Sequence, residues 1–369
     1  MSSQPPATAP TTRRVLAVTT VSIFLLLAGC TSTSESEPVS TATATSTPST
    51  SQSTATATSD VTVEPTATAS PADEGSAVPV ATRDFLASEA CRFWDITDDG
   101  RHDTATVDGD LVRRELHSGE VTAVAPAPEP CMVWHGDEDL DRMLVIDPTS
   151  DPQRFRSGTF DGTLDSEWTL DDPAAPLSRG LVASGRILMA GLDRPTAFLM
   201  DDATGAIIGD TIRATEVFSA AANADGSLFA VSVAGAAPEV VVLDGQSGEV
   251  VATVTGNTPA TALVFDEQSG DLLAGLRNGF VATIDVAAGE IVAEVDPGTT
   301  DQVFDLAVED DGTVVALTIN EVVRLDRSDG QIGEPVMLRD GVRGRLLDDG
   351  SGWWLQTSDD TLEIYDAPS

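Results

Sequence analysis

The chain has 369 residues, with 60 Asp and Glu against 20 Arg, no Lys, and a formal net charge of −40. Nucleic-acid binding needs a basic footprint, and direct adsorption to an anionic lipid surface needs basic residues too. The composition excludes both.

Taken from the start, the first thirty residues form a processing signal. Arg13 and Arg14 precede a mostly apolar stretch, Val15 to Ala28. A membrane-spanning helix needs about 20 such residues, so this stretch is too short to span but suits the apolar core of a signal peptide. It ends in Leu27-Ala28-Gly29-Cys30. That ending resembles the lipobox of bacterial lipoproteins, in which small residues precede a thiol that is acylated and becomes the mature N-terminus. The resemblance implies cleavage before Cys30 and acyl chains of the palmitate class on that residue. It also implies attachment to the extracytoplasmic face of the cell membrane through the lipid alone. Two or more chains make such an anchor permanent. Thr12-Arg13-Arg14-Val15-Leu16 also resembles a twin-arginine export signal, though Ala17 departs from it; the Sec route is preferred.

Residues 31 to about 78 are Ser, Thr, Ala and Pro of low complexity. Such a segment lacks the apolar content to offset the entropy of ordering. As a flexible coil it spans roughly 40 Å, and fully extended roughly 150 Å. The expected organisation is a signal peptide over 1–29, a disordered tether over 30–78, and a folded domain over 79–369.

The folded part carries an internal period. Phe198-Leu199-Met200-Asp201 leads to Gly205, and Val241-Val242-Leu243-Asp244 to Gly248. Ala282-Thr283-Ile284-Asp285 leads to Gly289, and Val323-Arg324-Leu325-Asp326 to Gly330. Each reads as a strand, an Asp-x-x-x-Gly turn, then another strand. The Asp side chain accepts backbone N–H groups and the Gly supplies a positive φ. Gly119 and Gly162 extend the series upstream at spacings of 43, with Glu115 and Gly158 where the turn Asp would stand. A second turn series falls inside each unit at Asp99-Gly100, His135-Gly136, Ser184-Gly185, Asp225-Gly226, Ser269-Gly270, Asp311-Gly312 and Asp349-Gly350. Four short strands per period of about 42 residues is the pattern of a propeller blade.

The predicted fold is therefore all-β, a seven-bladed propeller of four-stranded blades. The chain ends three residues after Asp366, leaving the last blade one outer strand short. The stretch from about Ser76 to Ala87 is expected to supply it, because an open sheet edge is a liability. The repeat copies resemble the YVTN-type and PQQ-like repeats of bacterial propellers, best between about residues 190 and 335. That resemblance implies a fold, not an activity. The recurrent Trp of quinone-cofactor repeats is absent from these turns.

Candidate chemistry is sparse. Cys91 and Cys131 lie about one period apart, as do Trp94 and Trp134. Each pair should occupy similar positions on the inner strands of blades 1 and 2. Outside the cytoplasm the two cysteines favour a disulfide, worth about 4 kcal/mol in the chain-entropy description. Asp95, Thr97, Asp99 and Asp103 have the spacing of a calcium loop, with Gly100 at the sixth position. They resemble loops of the FG-GAP and EF-hand types, but Thr106 stands at position 12 in place of Glu. Calcium is the one candidate ion and no resident cofactor is predicted. Trp353-Trp354 should point to opposite faces of a strand, one into the core and the other outward or between blades. Arg343 and Arg345 are expected to pair with carboxylates.

Together these features predict a binding or scaffold module for an envelope protein or cell-wall component, without chemistry. The alternative is an extracytoplasmic enzyme or cofactor-binding propeller, such as a lactonase-like hydrolase or a quinoprotein or dehydrogenase relative.

Overall fold

A computed structural model describes residues 21–22, 77–84 and, with short interruptions, 94–366. The described residues form strands and turns, with no helix among them. The strands are β1 (Val21–Ser22), β2 (Ala81–Asp84), β3 (Trp94–Ile96), β4 (His102–Val107), β5 (Asp110–Glu115), β6 (Val121–Pro126), β7 (Val133–Asp137), β8 (Arg142–Asp147), β9 (Gln153–Gly158) and β10 (Leu164–Leu170). They continue with β11 (Leu177–Ala183), β12 (Arg186–Gly191), β13 (Thr196–Asp201), β14 (Ile207–Arg213), β15 (Glu216–Ala222), β16 (Leu228–Ala234), β17 (Pro238–Asp244), β18 (Val250–Thr255), β19 (Ala260–Phe265) and β20 (Leu272–Leu276). The last are β21 (Val281–Asp285), β22 (Glu290–Val295), β23 (Val303–Val308), β24 (Val314–Thr318), β25 (Glu321–Leu325), β26 (Val336–Met337), β27 (Gly341–Leu346), β28 (Gly352–Thr357) and β29 (Thr361–Asp366).

Six antiparallel sheets take consecutive strands in order: β3 to β6, β7 to β10, β11 to β14, β15 to β18, β19 to β22 and β23 to β26. The seventh has the order β2-β29-β28-β27. The first strand of one sheet packs against the first strand of the next, from β3 and β7 through to β23 and β27. The first strands therefore line the axis and the fourth strands form the rim, which is a seven-bladed β-propeller.

Burial follows this radial order. β15, β19 and β20 are apolar runs buried along almost their whole length, because blades cover both of their faces. The rim strand β18 alternates, with Ala252 and Val254 buried and Val250, Val251, Thr253 and Thr255 exposed. The core lies between blades. Val240, Val242 and Val254 of blade 4 pack with Leu263, Ala274 and Ile284 of blade 5.

The ring closes as the missing rim strand required. β2 pairs antiparallel with β29, setting Ala81 opposite Ile364 and Asp84 opposite Thr361. The closing strand is Ala81–Asp84, in the middle of the expected stretch. Leu116 of blade 1 packs with Trp354, Leu362 and Ile364 of blade 7, and Ala81 covers them. Arg83 reaches from β2 to donate to the His117 carbonyl at 2.8 Å. A further two-residue strand, β1, pairs with β15 in blade 4. Its residues belong to the stretch that cleavage before Cys30 would remove.

One sequence expectation is corrected. His135-Gly136 is not a turn but lies inside β7, so the hairpin of blade 2 bends after Asp137. Trp353 and Trp354 point to opposite faces as expected, one into the core and the other between blades, and both are buried, at 2% and 1% exposure. Trp353 stacks on Tyr365 at 5.6 Å and 12°, while Trp354 faces blade 1. In blade 6, Ile332 bridges to Leu325, and Val336 and Met337 pair with Val322 and Glu321. Pro335 stands between Ile332 and Val336 and cannot donate to a ladder.

Candidate functional site

A four-stranded antiparallel blade places two hairpins at one end of the ring, and one hairpin plus the link to the next blade at the other. The Asp-x-x-x-Gly turns and the second turn series share the first end. Asp201 accepts the Thr204 N–H at 3.0 Å and its hydroxyl at 2.8 Å, and Asp244 accepts the Ser247 N–H at 2.7 Å and its hydroxyl at 2.9 Å. Asp285 accepts the Ala288 N–H at 2.8 Å. Gly205, Gly248 and Gly289 have φ of 68°, 68° and 69°. Gly205 is doubly constrained, because a Cβ there would lie 2.2 Å from Trp168 Cδ1 of the preceding blade. Glu115 replaces the turn Asp in blade 1 and accepts the His117 N–H at 3.0 Å and that of Ser118.

Hydrogen bonds join these turns between blades. The Ser157 hydroxyl donates to the Asp202 carbonyl at 3.1 Å, Arg186 Nε to the Gly245 carbonyl at 3.2 Å, and the Ala224 N–H to Glu267 at 2.8 Å. The turn carboxylates of Asp201 and Asp244 are held below their ordinary range. The cause for Asp201 is first the Thr204 hydroxyl, and for Asp244 first the Ser247 backbone N–H. Burial pushes Glu267 up. This end of the ring is regular and internally bonded.

Polar groups on the inner strands also join blades. The Ser219 hydroxyl donates to the Ala260 carbonyl at 3.0 Å, and the Thr261 hydroxyl to the Val303 carbonyl at 2.7 Å. Asp305 accepts the Leu346 N–H at 2.9 Å. Its carboxylate also lies 4.0 Å from Arg345, which is 8% exposed. Ser219 and Thr261 are 42 positions apart, one period, so the repeat marks them in the sequence; only their bonding needed the structure.

The candidate ligand residues fare differently. Asp103 is wholly buried on β4, and Arg114 on β5 donates to its two oxygens at 3.0 and 2.5 Å. Burial pushes its pKa above the ordinary carboxylate value, and Arg114 opposes that rise. Asp95 lies on β3, opposite Thr104, while Thr97 and Asp99 fall outside the described residues. Among the described residues no group of three His, Cys, Asp or Glu is placed to hold a metal ion. Cys30, Cys91, Cys131 and Gly330 also fall outside the described residues. Trp94 and Trp134 sit on β3 and β7, the inner strands of blades 1 and 2.

The other end of the ring is built from less regular links. Asn320 donates to Asp301, the Leu338 N–H to the Asn320 carbonyl at 2.7 Å, and the Ala77 N–H to the Met337 carbonyl at 3.0 Å. Asp296 accepts the Gly298 N–H at 2.9 Å. Acidic side chains dominate blades 4 and 5. Between Ala214 and Thr299, blades 4 and 5 carry 12 Asp and Glu and one cation, Arg277.

The fold recurs among solved structures. A chain in a crystal structure of the mitotic checkpoint complex superposes with a TM-score of 0.61 at 15% identity, covering 85% of this chain and 99% of that one. The C-terminal WD40 domain of Sif2 gives 0.57 at 13% identity, covering 79% and 84%. This is a WD40-like propeller fold. At such identity the likeness is one of fold alone. No known protein family matches the sequence, and no curated protein is similar to it.

Proposed function

We propose that the chain is a lipid-anchored, extracytoplasmic propeller that acts as a binding or scaffold module for an envelope protein. The observation that carries this reading is how the inner-strand polar groups are used. Ser219, Thr261 and Asp305 lie where a propeller would place chemistry along its axis, yet each is buried and bonded to the backbone of the next blade. They hold the ring together. Propellers of this fold offer large rigid surfaces, and one of the similar structures is a multi-protein complex, the mitotic checkpoint complex. The Cys30 lipobox and the Ser/Thr/Ala/Pro tether supply the anchor and the reach. The repeats, on this reading, are of the YVTN type.

Crosslinking in intact cells tests the proposal. The expected result is one dominant protein adduct to the full chain that disappears when the loops opposite the Asp-x-x-x-Gly turns are exchanged. A chain that forms no adduct, and instead turns over an envelope metabolite, would refute it.

A further inference from the structure

Rim strands in this ring are mostly protected against pairing with another chain. β2 carries Arg83 and Asp84, β10 carries Asp165 and Glu167, β14 carries Asp210 and Arg213, and β22 carries Glu290 and Glu294. β6 ends in Pro126 and β26 has two residues. Charge, proline and shortness are the ordinary ways of blunting a sheet edge. β18, Val-Val-Ala-Thr-Val-Thr, has none of them.

The edge of β18 is also free in the right sense. It is the outermost strand of its sheet. The Gly256 N–H donates to the Pro238 carbonyl at 3.0 Å, just beyond the Glu239–Thr255 pair. Antiparallel pairs alternate, so Val254 and Ala252 turn their backbone groups toward β17, while Thr253 and Thr255 turn theirs outward. Val250 and Val251 are about half exposed, at 53% and 50%.

Beside this edge runs a groove between blades 4 and 5. It is narrow and shallow, and Val254, Gly256, Leu276, Ile284 and Ile291 line it, with Glu239 at its wall. Ala252 and Val254 face the same blade-5 cluster. Side chains alternate across a strand. A strand added to β18 therefore sends every second side chain toward the groove mouth and the others over the exposed face of blade 4.

We propose that this edge and groove are a docking site for an extended segment of a partner protein, with aliphatic residues alternating with Lys or Arg. The inference rests on the binding-module reading. Backbone pairing on β18 supplies affinity, as in other strand-addition modes. The groove selects the aliphatic positions. The occupant is cationic by charge complementarity, since the two blades that form the site carry 12 carboxylates and one Arg. The same charge disfavours a second copy of this chain.

The test uses the full chain in detergent and a fluorescein-labelled peptide of alternating Lys and Val, followed by anisotropy. The peptide should bind, and raising the salt several-fold above about 0.1 M, where screening sets in within ~10 Å, should weaken it. Thr253→Pro removes an outward N–H, and Ile291→Trp fills the groove from the rim. Each should weaken binding by about tenfold or more, the effect of losing an anchor, with an unchanged melting curve. If Thr253→Pro unfolds the blade, Ile291→Trp decides alone. Equal binding of a Glu/Val peptide, or binding untouched by the substitutions, overturns the site. That failure leaves the module reading standing if crosslinking still captures a partner through the loops. Capture of none removes the reading itself.

Discussion

Ring closure by β2 and β29 makes the sharpest demand on stability. Ile364 is 3% exposed, sits opposite Ala81 in the closing pair, and packs on Leu116 of blade 1 and Trp354 of its own blade. Ile364→Ala leaves a cavity at the one junction where the two ends of the folded chain meet. Leu or Ile to Ala at a buried site costs about 2–5 kcal/mol. For a domain of this size each kcal/mol lowers Tm by roughly 2–4 °C, so a fall of about 4–20 °C is expected. Truncation after residue 358 goes further. It removes Leu362, Ile364 and Tyr365, each at most 3% exposed, and leaves β2 without a partner. At about 2–5 kcal/mol per buried side chain, the loss is comparable with the whole stability of an ordinary domain, about 5–15 kcal/mol. The truncated chain should show no cooperative transition in far-UV circular dichroism. A truncated chain that melts like the full one would refute the closure and the energetics drawn from it.

Other outcomes follow from single contacts. Asp103→Ala strands the Arg114 guanidinium in a buried site and should cost about 3–5 kcal/mol; a double-mutant cycle with Arg114→Met should recover much of it by denaturant titration, and simple additivity would show that the pair is not coupled. Asp201, Asp225, Asp244 and Asp311 are all held below the ordinary carboxylate range by turn hydrogen bonds. A depressed acid contributes stability that is present above its unfolded value, about 3.9, and is lost as pH falls through the folded value. Replacing the four by Asn should therefore flatten the acid limb of Tm against pH below about 4; a parallel loss in both proteins would contradict the turn role. Cys30→Ser should abolish labelling by an alkyne fatty acid and release the chain from the membrane fraction, and retention of label would place the lipid elsewhere.

The architecture was legible because glycine and aspartate recur where φ must be positive and turn N–H groups need an acceptor. Gly205, Gly248 and Gly289 mark the period, and counting strands from it left blade 7 short by one. The degenerate blades were harder. His135-Gly136 has turn composition but sits within β7, opposite Leu144 and Met143. Asp266 to Gly270 repeats the Asp-x-x-Ser-Gly turn in the hairpin between the first two strands of blade 5, with Gly270 at φ 78°. The sequence showed that signal, but only its last two residues fitted the second turn series. Asp103 has the spacing of a calcium ligand; its cross-strand register with Arg114 sets it on an ion pair instead. Spacing along the chain does not carry that register. Surface roles were least legible. The uncharged edge of β18 is visible as Val250 to Thr255, yet its meaning depends on knowing that it is a rim strand beside a groove.

The central claim, an anchored propeller that binds an envelope partner through its exposed edges and loops, is tested most directly by a photo-crosslinking residue at Val251 of the full chain in living cells. A single adduct whose mapped segment alternates aliphatic and basic residues, lost with Ile291→Trp, is the expected result. Adducts absent from Val251 and from every loop position, with the chain folded and membrane-bound, would contradict it.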